Sequence, residues 1–332
     1  MARTTRAYAQ QQSSGYSLVE LMVAVALGLI ILAAMLEGFN ASSATGATNT
    51  RFTEVQSNGR YALNFLRREI QHAGFAYLSR GAVIYQPSTL PNNDYGCGAG
   101  FVTKLEQPIF GYDDPASGSV PCTTLITGAD SYARGDILVL RKAVSPPNAP
   151  ITATAAYNGY GFCPNAAAGL VAGTMYVRTE FLQSAVYIGT TPAANLQSPC
   201  DDYLVGVDVY YVSANTSGTD GIPSLKRIQL GVTGGAPTMQ AAQVVATGIE
   251  NMQIQYGVQN GDAVSYVNAG SVAAADWPNV VAVRLWVLAR STEPEFSGFV
   301  NTSSYTMGNA ATFTPGDNFV RQLHPLIVTL RK

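Results

Sequence analysis

Apolar residues are concentrated in one long uncharged segment close to the N-terminus. Between residues 16 and 36 the only charged side chain is that of Glu20. A helix over this segment would rise roughly 30 Å, about the thickness of the hydrocarbon core of a bilayer. The pattern therefore predicts a transmembrane helix over residues 16–36.

The helical pattern continues beyond that segment, because no proline occurs before residue 87. Apolar residues then recur at three- and four-residue spacing, which is typical of a helix with one buried face. The predicted stripe consists of Phe52, Val55, Ala62, Leu66, Ile70 and Ala73. The charged residues Arg60, Arg67, Arg68 and Glu69 would lie mainly off this stripe.

Glycines set the expected limits of the long helix. Gly74 is the predicted stop. Gly38, Gly46 and Gly59 each weaken a helix by about 1 kcal/mol relative to alanine. A bend or melted turn is therefore expected between residues 36 and 50.

From residue 83 onward, short apolar runs alternate with Gly, Pro, Asn and Asp, which predicts β-structure. The predicted strands are residues 136–141, 175–181, 185–188, 206–212, 226–232, 249–259, 265–267, 280–289 and 319–330. Asn260-Gly261 predicts a hairpin with a type I′ turn. Residues 145–150 and 215–223 are expected to form exposed loops. One long helix packed on an antiparallel sheet, with large strand and loop elaborations, is an α+β fold.

Charge predicts the orientation of the chain in a membrane. Residues 1–14 carry Arg3 and Arg6 but no acidic residue, so the positive-inside rule places them in the cytoplasm and the remaining chain in the periplasm. Gly15 lies between these charges and the apolar run, so cleavage there would remove a leader and keep the helix. Glu20 is either a tolerated interfacial charge of a signal anchor or a carboxylate that meets a cation in an assembly.

Gly15 followed by YSLVELMVAVALGLI resembles the class III signal of type IV pilins and pseudopilins. The resemblance implies that a prepilin peptidase cuts between Gly15 and Tyr16 and methylates the new amine of Tyr16. It also implies that Glu20 pairs with the N-terminal amine of a neighbouring subunit in a filament. Tyr16 departs mildly from the family, which usually has Phe or Met there.

Later segments are similar to the PilW-type minor pilins: residues 59–75, 248–258, 279–295 and 327–332. The resemblance implies a leader (1–15), a membrane and filament-core helix (16–36), an amphipathic continuation (37–74) and a β-rich periplasmic head (75–332). It implies a non-catalytic minor pilin, in a tip complex that primes assembly. The implied partners are the prepilin peptidase, the inner-membrane assembly platform, other minor pilins, the major pilin and a large tip adhesin.

Two alternatives remain open at this stage. A minor pseudopilin of a type II secretion system would share the same signal and helix. A membrane-anchored periplasmic adhesin or receptor would keep the helix and never polymerise. If the protein is a minor pilin, it moves from the inner membrane to a surface pilus. The sequence leaves open whether that pilus serves motility, adhesion or DNA uptake.

Composition narrows the choice of partners. Charged residues make up 12% of the chain and the net charge is −2. A typical nucleic-acid binder is strongly basic, so direct contact with nucleic acid is not expected.

The four cysteines are expected to form disulfides in an oxidising periplasm, with three connectivities open. Sequential pairing, Cys97 with Cys122 and Cys163 with Cys200, is the preferred prediction.

Catalytic and metal-binding patterns are weak. The two histidines, His72 and His324, are most simply structural, and no nucleophile, Walker or dinucleotide-binding pattern accompanies them. The cysteines lack the close spacing of a zinc site. The acid pairs Asp113-Asp114 and Asp201-Asp202 could bind calcium, but solvated turns are the simpler interpretation. Neither an enzyme nor a cofactor is expected. Tyr157, Tyr160 and Phe162 form an aromatic patch to which no role is assigned.

Overall fold

The computed structural model of the chain describes residues 15–74, 83–85, 95–98, 100–144, 170–180, 183–189, 201–295 and 298–330. Within these ranges it contains one long helix and thirteen strands that form two sheets, an α+β fold. The chain divides into two units, Met1–Thr50 and Arg51–Lys332. The second unit contains all of the strands.

The helix α1 spans Leu18–His72. The strands are, in chain order, β1 (Val83–Tyr85), β2 (Ile109–Tyr112), β3 (Ile137–Val144), β4 (Met175–Thr179), β5 (Gln183–Ile188), β6 (Asp201–Ser213), β7 (Ser224–Thr233), β8 (Ala236–Met239), β9 (Gln243–Thr247), β10 (Ile249–Asn260), β11 (Ala263–Asn268), β12 (Val280–Arg290) and β13 (Arg321–Thr329). Every strand predicted from the sequence overlaps one of these. The short strands β1, β2, β8 and β9 were not predicted.

The melted turn expected between residues 36 and 50 is absent from the described helix, in which every residue from Leu18 to His72 is helical. Gly38 and Gly46 have no neighbouring atom within 4 Å of a built Cβ, so they only lower local helix propensity. A cost of about 1 kcal/mol per glycine is too small to end a helix of this length. The Thr50 hydroxyl also donates to the Gly46 carbonyl at 3.0 Å, one turn away.

Within the second unit, the last part of α1 packs along its predicted stripe. Val55, Ala62, Leu66, Ile70 and Ala73 are fully buried. Phe52 was wrongly included, since its side chain is 49% exposed. The helix ends as predicted, because Gly74 adopts a positive φ of 73° and a Cβ there would lie 2.8 Å from the Pro108 ring.

The larger sheet has the strand order β1-β5-β4-β6-β3-β2, and β7 extends it by pairing with the second half of β6. The first half of β7 pairs with β9 and the second half with β8. All of these pairs are antiparallel except β1 with β5. The fold is therefore largely but not wholly the antiparallel head that was predicted.

The smaller sheet has the order β11-β10-β12-β13 and is antiparallel throughout. Asn260 pairs with Ala263, so the β10–β11 turn has Gly261 and Asp262 at its centre. Gly261 has a φ of 62°, whereas Asp262 is not among the positive-φ residues. The turn is thus of the II′ kind, with glycine at its first central position, rather than the predicted type I′.

Strand alternation gives the larger sheet two apolar faces. One face carries Leu138, Leu140, Tyr210 and Val212 and packs with α1 and the smaller sheet. The other face carries Ile137, Val139, Val207, Val209 and Tyr211 and packs under residues 95–126. Because both faces are covered, these strands are buried along nearly their whole length.

A polar cluster joins α1 to the larger sheet. The Lys142 ammonium on β3 forms ion pairs with Glu69 of the helix and, at 3.0 Å, with Asp208 of β6. The Tyr210 hydroxyl donates to the same Glu69 carboxylate at 3.2 Å. Burial tends to lower the pKa of Lys142, but the attraction of Asp208 and Glu69 outweighs it and raises this pKa above its usual value. The cluster fixes the register of the helix on the sheet.

One of the two predicted disulfides lies within the described residues. Cys97 and Cys122 are bonded and close a loop over the outer face of the larger sheet. Cys163 and Cys200, the predicted loop 145–150 and the aromatic residues Tyr157, Tyr160 and Phe162 lie outside the described residues. The other predicted loop, 215–223, is present and largely exposed.

Candidate functional site

The apolar part of α1 in the first unit is exposed along its whole length. Leu18, Ile30 and Phe39 are 76%, 66% and 70% exposed. Within the described residues α1 is long and apolar enough to cross a membrane, and its most apolar window has no buried residue. The core helix of a soluble protein would be buried. This surface is suited to contact with lipid or with apolar helices of other subunits.

The helix begins next to the predicted cleavage site. Gly15, Tyr16 and Ser17 are not helical, and α1 starts at Leu18. The Ser17 hydroxyl accepts a hydrogen bond from the Glu20 amide at 3.2 Å, so Ser17 is the N-cap. Ser and Glu three residues apart form the sequence signature of a capping box. Sequence reasoning missed this role of Ser17, although the S-x-x-E spacing was available.

Glu20 lies in the first turn of α1 and is exposed. A carboxylate there is favourable because the helix N-terminus carries a partial positive charge. Cleavage before Tyr16, which is itself 84% exposed, would place a cationic amine at the same helix end. That amine would be poorly tolerated in an apolar surrounding without a carboxylate nearby.

The two histidines occupy different environments. His72 is exposed at the end of α1. His324 on β13 is 7% exposed, and its ring lies against Gly59 of the helix. The His324 Nε2 atom has no hydrogen-bond partner within the described structure. Burial, and then repulsion by Arg60, holds the pKa of His324 below its usual value.

We expect His324 to contribute a loss of stability to the second unit as the pH falls below about 6.5, the usual pKa of histidine. The unfolded chain then binds a proton that buried His324 resists, so the unfolded state is favoured. Urea unfolding of the wild type and of His324→Gln between pH 5 and pH 8 measures this contribution. The stability of the wild type relative to the variant should fall as the pH is lowered, because Asp136, whose pKa is raised to about 7, titrates in both proteins and cancels in the difference. A difference that does not change with pH would contradict the assignment.

The acid pair Asp113-Asp114 belongs to a hydrogen-bonded loop. The Asp114 carboxylate accepts bonds from the Tyr132 hydroxyl at 2.9 Å and from the Gly135 amide at 3.0 Å. Sequence reasoning missed its neighbour Asp136, whose two oxygens accept from the Asp114 and Ile254 amides at 3.0 and 2.6 Å. Burial raises the pKa of Asp136 to about 7, although both amide bonds act to lower it. The Asp136 carboxylate therefore holds the loop to β10, and the Asp114 carboxylate bonds within the loop region.

The acid pair Asp201-Asp202 is not a solvated turn. Asp202 is buried on β6 and forms a bidentate ion pair with Arg178 of β4 at 2.8 and 2.6 Å. Tyr187 donates to the same carboxylate at 2.8 Å. The turn interpretation is therefore wrong for Asp202, whose charge is used internally. Among the described residues, no group of three or more His, Cys, Asp or Glu side chains could hold a metal ion.

The exposed apolar helix, its capped N-terminus beside Gly15 and Tyr16, and the α+β second unit form an architecture similar to that of the pilins. Residues 11–36 match the model of the prokaryotic N-terminal methylation motif. Residues 209–332 match the model of the type IV pilus-assembly protein W, or PilW. These matches support a PilW-type minor pilin, related to type IV pilus assembly.

Among solved structures, the chain is similar to a type IV-like pilin from Thermus thermophilus. The identity is 13% and the TM-score is 0.34, over 83% of this chain and 95% of that one. No match was found among curated protein sequences.

Proposed function

We propose that this protein is a non-catalytic minor pilin subunit that takes part in type IV pilus assembly within a tip or priming complex. The observation that supports this most directly is the fully exposed apolar helix that begins just after Gly15 and Tyr16 and carries Glu20 in its first turn. Pilin-family domains are structural, and the polar clusters of the second unit join its own elements. Packing is therefore the proposed mechanism.

The proposed sequence of events begins in the inner membrane, with the head in the periplasm. A prepilin peptidase cuts between Gly15 and Tyr16 and methylates the Tyr16 amine. The assembly platform then extracts the helix from lipid into a bundle of neighbouring pilin helices. There Glu20 neutralises the amine of a neighbouring subunit, because both groups leave water together and an unpaired charge would be costly.

A tip position is proposed because the head is large. A subunit with this head, residues 75–332, is more easily accommodated at the end of a fibre than repeated along its shaft. Its neighbours would then be other minor pilins, the first major pilin subunits and a large tip adhesin. A minor pseudopilin of a type II secretion system shares the signal and the helix, and the PilW match favours the pilus.

Mass spectrometry of fibres sheared from the cell surface tests the proposal. Digestion after Glu should release the peptide Tyr16 to Glu20 with a methylated Tyr16 amine. A processed protein confined to the membrane fraction would instead favour the secretion pseudopilin. A protein that still carries Met1 to Gly15 would contradict the pilin assignment.

Substitution of Glu20 separates a filament subunit from an anchored receptor. We expect Glu20→Ala to reduce the amount of the protein in sheared fibres, because the neighbour's amine loses its carboxylate in an apolar bundle. Glu37→Ala is the matched control, since Glu37 is a second exposed acid of α1. Peptides of the head, quantified in the fibre and membrane fractions, give the fraction of each variant that is incorporated into fibres. Equal incorporation of the two variants into fibres would contradict the proposed role of Glu20. Confinement of the wild type and both variants to the membrane fraction would favour the receptor that does not polymerise.

A further inference from the structure

A cavity of about 440 Å³ lies beside the end of β2, in the part of the second unit clamped by the Cys97–Cys122 disulfide. Its walls include four aromatic side chains: Phe101, Phe110, Tyr112 and Trp277. Small-molecule sites in proteins commonly have this size and lining, with a few polar groups that fix the ligand. The described structure thus contains a preformed pocket.

The aromatic wall is held in place by ring contacts. The Phe110 and Trp277 ring centroids are 4.5 Å apart at a tilt of 45°, and Phe110 meets Tyr112 edge-on at 5.3 Å. Trp277 is buried, whereas Phe110 and Tyr112 are half-buried. A wall fixed before binding loses little conformational entropy when a ring stacks on it.

The polar part of the pocket contains a buried cation, Arg141, which is 2% exposed. Its Nε and Nη2 atoms donate to the Phe101 carbonyl at 3.1 and 2.8 Å, and its Nη1 donates to the Gln107 carbonyl at 2.8 Å. These bonds shape the loop over the cavity. They do not neutralise the charge, because carbonyl groups are neutral acceptors.

Arg141 differs in this respect from the other buried Lys and Arg side chains of the described structure. Arg178, Lys226 and Arg321 each have a carboxylate within ion-pair distance. Among the described residues, no carboxylate lies within 4 Å of the Arg141 guanidinium. A buried charge without a counter-ion is expensive, and the missing negative charge can be supplied by a ligand.

The charge of Arg141 persists at neutral pH. Burial lowers its pKa to about 10, and attraction by Glu106 partly opposes this effect. A second cation, the exposed Lys104, lies on the cavity wall together with the amide of Gln107. The pocket therefore combines an aromatic surface, hydrogen-bonding groups and two positive charges.

We propose that this cavity binds a sugar unit that carries a carboxylate, of the uronic acid class. The apolar face of the sugar ring would lie on Phe110 and Tyr112, its carboxylate would face Arg141 and Lys104, and its hydroxyl groups would meet Gln107. A neutral sugar would leave the buried charge unpaired. An aromatic acid would leave the hydrogen-bonding groups of the wall unused. The site lies in the second unit and does not depend on fibre assembly.

Calorimetric titration of the processed full-length chain in non-ionic detergent tests this inference. The matched probes are methyl β-D-glucuronide and methyl β-D-glucoside, which differ only in a carboxylate against a hydroxymethyl group. We expect the glucuronide to bind at least about tenfold more tightly, since a charge-assisted hydrogen bond contributes on the order of 1.5–3 kcal/mol. Equal affinities, or no binding of either sugar at millimolar concentration, would overturn the proposal. Tighter binding of benzoate than of the glucuronide would overturn the sugar assignment.

Two variants place the ligand in the cavity. Lys104→Ala should weaken glucuronide binding about two- to fivefold, as expected for an exposed ion pair, whereas Arg67→Ala on the exposed side of α1 should not. The chain has two tryptophans, and Trp286→Phe leaves Trp277 as the only fluorescent one. Glucuronide should change the fluorescence of that variant. Unchanged fluorescence on saturation, or equal effects of the two charge substitutions, would place the sugar elsewhere.

Discussion

Replacement of Asp202 by alanine is expected to lower the free energy of unfolding of the second unit by about 3–5 kcal/mol, the usual cost of removing one partner of a buried ion pair. The Arg178 side chain is fully buried, and both of its bonds to Asp202 would be lost. The Tyr187 hydroxyl would lose its acceptor as well. The two charged residues face each other in the β4–β6 register.

Urea unfolding of the full chain in detergent, followed by circular dichroism, measures this loss. Asp262→Ala in the exposed β10–β11 turn is the matched control, with an expected change within about 0.5 kcal/mol. The double variant Arg178→Met/Asp202→Leu should recover much of the loss, since apolar residues of similar volume often replace a buried ion pair at little cost. A loss below about 1 kcal/mol for Asp202→Ala would contradict the predicted contribution of Asp202 to stability.

Asp202 also shows what the sequence could not predict. Two adjacent acids beside a strand were taken for a solvated turn, because their partner lies on another strand. Only the register of β4 against β6 brings Arg178 to the carboxylate. Arg141 and its cavity escaped prediction for the same reason, since their contacts come from distant segments.

The features that were predicted correctly depend on local patterns. The spacing of Val55, Ala62, Leu66 and Ile70 follows the period of a helix, and all four are buried. The longer strands show either alternation or continuous apolar runs. β1, β2, β8 and β9 have three to five residues, too few to show a period. The motif that begins at Gly15 could be recognised because its residues are contiguous, and residues 11–36 match the methylation-motif model. The roles of Gly15, Tyr16 and Glu20 stay predictions.

Gly59 was interpreted as a residue that weakens the helix, but its environment gives it a packing role. A Cβ atom built at Gly59 would lie 2.3 Å from the Cδ2 and Nε2 atoms of the His324 ring. Heavy atoms do not approach so closely, so the absence of a side chain lets β13 lie against α1. Gly59 buried against His324 therefore joins the smaller sheet to the helix.

We expect Gly59→Ala to destabilise the second unit by about 1–3 kcal/mol, the usual cost of overpacking a core. A loss of stability would identify overpacking, because alanine in a helix would otherwise stabilise the protein by about 1 kcal/mol relative to glycine. The His324 ring cannot simply turn away, since it is buried between the helix and the sheet. Urea unfolding of the variant in detergent measures the change.

Removal of the imidazole should reverse this effect. In the His324→Ala background, Gly59→Ala should become neutral or stabilising, because the added methyl group enters the space left by the ring. The coupling energy of the double-mutant cycle should then exceed about 1 kcal/mol, as expected for residues in direct contact. Gly46→Ala, at a helix position with no neighbouring atom within 4 Å, serves as the control for propensity alone. Additive effects of the two substitutions would mean that Gly59 is retained for a reason other than its contact with His324.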